Sequence, residues 1–129
     1  MTDFACMVAD GFVQGSNATY STARSTSNVS VADQTYINMG QQNWTSVFDV
    51  IRGFLKFDTT TLPSWAIITQ VNIKLVCTSD QSTADFDVQI VKQDWSSQDP
   101  LSAGNREAAY DNCLAGTADS NIWRNTSGM

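Results

Sequence analysis

Ile67-Ile68-Thr69-Gln70-Val71-Asn72-Ile73-Lys74-Leu75-Val76-Cys77-Thr78 carries the clearest two-residue alternation in the chain. Ile67, Val71, Ile73, Leu75 and Cys77 fall on one side of an extended backbone, with Thr69 among them. Gln70, Asn72, Lys74 and Thr78 fall on the other. Successive strand side chains point to opposite faces of a sheet, so this pattern predicts a strand with one buried and one wet face. Its neighbours read the same way. Upstream, Ile51, Leu55 and Phe57 alternate with Arg52, Phe54 and Lys56. Downstream, Phe86, Val88 and Ile90 alternate with Asp85, Asp87 and Gln89. Three half-wet strands predict antiparallel sheet.

Turn chemistry separates them. The run Asp58-Thr59-Thr60-Thr61-Leu62-Pro63 ends the upstream strand with hydroxyl caps and a proline that cannot join a ladder. Residues 78–84 read as a polar loop. Nearer the start, residues 10–14, 27–31 and 35–39 are short candidate strands, and 15–27 is polar enough to read as a long surface loop. One stretch looks helical, about 105–115. Asn105 can cap it, Glu107 sits in its first turn, Ala108, Ala109 and Leu114 give weak periodicity, and Gly116 stops it. The predicted fold is all-β: a single antiparallel β-sandwich of jelly-roll type over residues 1–129, with that one short helix.

Composition narrows the function. Charged residues make up 16% of the 129, well under the roughly 25% of an average protein. Hydroxyls and amides fill the gap, as they do on secreted β-proteins and fibres. The net charge is −6, and the basic residues stand singly, so no patch predicts nucleic-acid binding. No apolar run reaches the length of a membrane span, and residues 1–10 lack the pattern of a signal peptide. Export by another route, release by lysis, or a missing leader are the options for an extracellular protein. Cys6, Cys77 and Cys113 are an odd set without C-x-x-C spacing, and no histidine is present, which disfavours zinc. They read as one disulfide plus a free thiol, or as three buried thiols. The acids are all Asp except Glu107. Oxygen-rich loops suit Ca²⁺, but no EF-hand spacing occurs, so no cofactor is expected, with calcium at unassigned residues the alternative.

The stretch from Arg52-Gly-Phe-Leu-Lys-Phe-Asp58 through the Leu62-Pro63 turn and Ala66-Ile67-Ile68 into the alternating strand resembles DNRLRE-type domains, relatives of carbohydrate-binding jelly rolls. Asp10-Gly-Phe-Val13, Val88-Gln-Ile90, Asp94-Trp-Ser96, the run Asn105-Arg-Glu-Ala-Ala-Tyr110 and Ile122-Trp123 extend the likeness over about 10–129. The resemblance implies a module of bacterial surface proteins, polysaccharide-active enzymes or phage virions. Such domains continue for several strands beyond the position of Trp123. The jelly roll is therefore expected to be either a fragment or completed at its C-terminal side from elsewhere, and open strand edges invite another chain.

Without histidine, the commonest general base and the Ser-His-Asp arrangement are excluded. Asp85 and Asp87 read as the solvated side of their strand rather than as a glycosidase pair. No enzyme is expected. Indole rings stack on the C–H faces of sugars, and amides and carboxylates bind sugar hydroxyls. On that chemistry Trp44, Asn43, Tyr36, Trp95 and Asp94 are the candidate glycan-binding residues, with Trp44 the exposed one. Trp95 and Trp123 also read as plugs at the ends of the sandwich, and Trp65 as a staple on the Pro63 turn. The expected function is a structural or assembly module of a virion, fibre or extracellular surface, partnered by itself or by other subunits. The alternative is a carbohydrate-binding or adhesion module.

Overall fold

Residues 11–32, 35–81, 83, 88, 90–92, 94–115 and 117–118 are described by a computed structural model of the chain. Strand β1, Gly11–Asn17, lies at the centre of a four-stranded sheet. It pairs antiparallel with β2 (Val29–Ala32) on one side and with β4 (Val47–Phe54) on the other, and β3 (Gly40–Trp44) closes the order β2-β1-β4-β3. A second, two-stranded sheet joins β5 (Val91–Lys92) to β6 (Thr117–Ala118). Two helices complete the described fold, α1 (Tyr20–Ser25) and α2 (Arg106–Ala115), with a 3₁₀ turn at Ser96–Gln98.

Register decides which side is buried. Val13 stands opposite Arg52, Gly15 opposite Val50 and Gly11 opposite Phe54, so these residues share one face. That face carries the core: Val13, Phe54, Leu101, Ala109 and Tyr110, with Val50, Trp95 and Cys113 packed against it. Helix α1 lies over β1 and β4 on this side, and α2 over β1. Tyr20 meets Phe48 edge-on at 5.9 Å, and Phe54 meets Trp95 edge-on at 5.5 Å.

Gly15 sets the closeness of this packing. A Cβ there would lie 2.1 Å from the Ala23 carbonyl oxygen, 2.4 Å from that of Thr26 and 2.8 Å from the Tyr110 hydroxyl. Only a residue without a side chain lets α1 and Tyr110 come so near the strand. The Tyr110 hydroxyl sits 2.7 Å from the Ala23 carbonyl and 3.2 Å from that of Val50, satisfying polar groups that this burial would otherwise orphan.

Several expectations change. Residues 51–57 are strand only as far as Phe54, and their wet and dry sides are exchanged: Arg52 and Phe54 face the core, whereas Ile51 faces away. Arg52 can sit inward because its guanidinium lies 3.6 Å over the Tyr110 ring and donates to the Tyr110 carbonyl at 2.9 Å and the Arg24 carbonyl at 3.0 Å. The Arg24 carbonyl is one of the open acceptors in the last turn of α1. Burial draws the Arg52 guanidinium below its ordinary value. The loop expected at 15–27 instead extends β1 and forms α1. Residues 35–39 precede β3 rather than forming a strand.

The largest departure concerns 67–78, which belongs to no strand among the described residues. Ile67 is 88% exposed and Val71 71%, while Ile73 and Leu75 are half-buried. Alternation places side chains on two sides, but a ladder partner is also needed to make a strand. Cys77 is a free and exposed thiol, which excludes the reading of three buried thiols. Cys113 is half-buried, and burial pushes its thiol up against the opposing pull of Arg52.

Other expectations fit. Helix α2 falls on 105–115. Asn105 acts differently from a simple cap: its side chain accepts from the Ser102 N–H and donates to the Gln98 and Pro100 carbonyls. Asp58 accepts from the N–H and hydroxyl of Thr60, as its turn requires. The expected strand at 85–90 is described only at Val88 and Ile90. Cys6, Gly116, Trp123 and the region beyond 118 lie outside the described residues, as does any structural reading of a C-terminal completion.

Candidate functional site

The sheet face opposite the core carries a row of polar side chains across three strands. Ser16 of β1 stands opposite Asp49 of β4, which stands opposite Gln42 of β3. Gln14 Nε2 donates to the Ser16 hydroxyl at 2.9 Å, that hydroxyl donates to Asp49 Oδ1, and Gln42 Nε2 donates to Asp49 Oδ2 at 3.0 Å. Donors therefore converge on one carboxylate that is only 7% exposed. Burial alone would push this carboxyl up, but hydrogen bonds from Ser16, Gln42 and Gln14 outweigh it and hold the group below its ordinary value. An Asp inside the apolar run Val47-Phe48-Asp49-Val50-Ile51 was the signal for this row. Its partners were not legible, because they come from other strands.

Trp44 ends β3 on the same face as Gln42, two residues along, and is 61% exposed. The hairpin that follows places Thr45 at φ 52° and Ser46 at φ 151°. A β-branched residue at positive φ is strained. The turn carries Trp44 and Val47 as a facing pair beside Gln42.

The expected glycan residues do not form one cluster. Asn43 pairs with Phe48 on the core side of the sheet, so neighbouring Asn43 and Trp44 point to opposite faces. Tyr36 is exposed in the bend before β3. Trp95 is half-buried, packed on the core and edge-on to Phe54. Asp94 accepts from the Ser96 N–H at 3.0 Å at the start of the 3₁₀ turn, and hydrogen bonding to Ser96 lowers its carboxyl below the ordinary value. Trp44 thus finds its polar neighbours in Gln42 and the Asp49 row, not in Asn43.

A second surface is apolar. Trp65, Ile67, Ile68, Val71 and Val76 are all exposed along one short length of chain. Such a run of exposed apolar side chains is a candidate interaction surface. Lys74 is the only charged residue among 64–79.

Among the described residues, no three acidic, thiol or imidazole groups gather as they would around a metal ion. No helix among them is long and apolar enough to cross a membrane. No family model, curated protein or solved structure matches the chain.

Proposed function

We propose that this chain is a non-catalytic structural module of a virion, fibre or extracellular surface and that it works by assembling with other subunits. The scaffold is read as a jelly-roll sandwich of the DNRLRE kind, with the four-stranded antiparallel sheet as one layer. The observation that carries the assembly reading is the exposed apolar stretch around Ile67 and Val71. Leaving such side chains in water forgoes roughly 1.5–3 kcal/mol for each one that could be buried. A partner that covers them recovers this. The carboxylates seen in detail also have structural duties: Asp49 joins three strands, Asp58 and Asp94 hold turns, and Asp99 pairs with Lys56. Sedimentation velocity over a range of concentrations tests the reading. A discrete oligomer is the expected result, and a monomer throughout would overturn it.

A second reading, glycan binding, is supported by Trp44 on the face that also carries Gln42 and the Asp49 row. Its ligand would stack on the indole and use the Gln42 amide. Affinity electrophoresis in polysaccharide gels tests it, with wild type expected to be retarded and Trp44→Ala to run free. Equal mobility of the two proteins would exclude Trp44 as the platform.

A further inference from the structure

Residues 67–77 have the hydrophobic pattern of a strand, lack a strand neighbour among the described residues, and expose most of their apolar side chains. The sequence itself says what kind of partner fits. Read outward from Asn72, the chain is nearly symmetric in character. Val71 mirrors Ile73, Gln70 mirrors Lys74, Thr69 mirrors Leu75, Ile68 mirrors Val76, and Ile67 mirrors Cys77. Apolar residues answer apolar residues at three of the five steps, and polar answers polar at a fourth.

A two-fold interface requires such self-complementarity, because each position on one copy meets its mirror on the other. We propose that residues 67–77 pair antiparallel with the same segment of a second copy of this chain, in register about Asn72. The proposal rests on the assembly reading above and names its partner.

Electrostatics favour this register over pairing about Lys74. Pairing about Asn72 sets Lys74 opposite Gln70 of the second copy, whereas pairing about Lys74 would set lysine against lysine, which is destabilising. Slipping by one position also exchanges the two sides of the strand, so Ile67 and Val71 would no longer share a side with their partners' apolar set.

Ile67 and Val71 are exposed on one side of the segment and Ile68 and Val76 on the other, so a second strand would meet apolar side chains on both sides. Strand addition would also satisfy backbone groups along the segment.

Cys77 supplies a sharp test, since it is exposed and free. In the proposed register it faces Ile67 of the other copy. Directly opposed Cα atoms lie about 4.5–5.5 Å apart in an antiparallel pair, within the range a disulfide spans. Mild oxidation of Ile67→Cys should give a covalent dimer on a non-reducing gel. The dimer should vanish when Cys77→Ser is added. Thr69→Cys, which faces Leu75, should give no more dimer than wild type. Absence of the Ile67→Cys dimer, or an equal yield from Thr69→Cys, would overturn the register.

Sedimentation of Val71→Lys separates this inference from the broader reading. Val71 is already exposed, so the fold should tolerate the change, as circular dichroism can check. An oligomer that dissociates at least tenfold more readily in the variant supports the proposed pairing. An oligomer unaffected by the substitution overturns the pairing but leaves assembly standing. A wild-type monomer at all concentrations overturns both.

Discussion

The backbone N–H and the hydroxyl of Ser27 both donate to a single oxygen of Glu107, each at 2.9 Å and across 80 residues of sequence. The chain's only glutamate thereby ties the first turn of α2 to the segment between α1 and β2. Ser27 is buried, so these bonds replace water that cannot reach it.

Glu107→Ala should therefore destabilise the fold by roughly 1–3 kcal/mol, because a buried N–H and hydroxyl lose their acceptor. Glu107→Gln should be milder, since an amide oxygen can still accept both bonds. Urea titration of the two variants checks the order. Equal losses would show that charge, rather than acceptance, is what Ser27 requires.

Gly15→Ala should destabilise by about 1–3 kcal/mol through overpacking. The added methyl would press on carbonyl oxygens of α1 and its C-terminal side, which are backbone and cannot swing away. Thermal unfolding followed by circular dichroism is the measurement. Gly53→Ala makes a useful contrast, because its nearest neighbour would be the flexible end of Ile37 at 3.1 Å. It should lose less.

The Asp49 carboxyl is held below its ordinary value in the folded protein, so folding favours its ionised form. Its contribution is complete above the unfolded value of about 3.9 and disappears as pH falls from there through the folded value. Asp49→Asn should be less stable than wild type at neutral pH and should flatten the acid limb of the stability curve below about pH 4. Denaturant midpoints measured from pH 7 down to pH 2 check this. An unchanged acid limb would show that other carboxylates govern acid unfolding.

The β3–β4 turn holds two non-glycine residues at positive φ. Replacing Thr45-Ser46 with Asn-Gly, the pair favoured in two-residue hairpins, should stabilise the protein by about 1–2 kcal/mol. Trp44 should keep its exposed fluorescence. A red-to-blue shift in emission would mean that the turn had repositioned the indole.

The first part of β1, most of β2, the second half of β4, and α2 were legible because their patterns and stop signals agree locally. The inward side of β4 was misread because Arg52 looks like a solvent residue in sequence. Its burial depends on the Tyr110 ring and on carbonyls supplied from elsewhere. Helix α1 was invisible for a related reason. Tyr-Ser-Thr-Ala-Arg-Ser has no apolar stripe, and Ala23 is its only buried residue. Tertiary contacts hold such a helix where propensity would not. β3 was hidden by its polar sequence, since its one strand neighbour among the described residues is β4. In the candidate site, Trp44 could be read as exposed, but its companions could not. The sequence puts Asn43 beside it, and the pleat sends Asn43 to the other face.

Tyr110 reaches the carbonyl of Ala23 across 87 residues. A ribosome makes the chain from its N-terminus, so β1, α1 and β4 all emerge before the phenol that fastens them together. Until then Val13 and Phe54 have only part of their cover, and the Ala23 carbonyl must be served by water. The nascent sheet is thus a late-locking structure whose apolar side is open during synthesis, the interval in which chaperones and premature contacts with other chains compete for it.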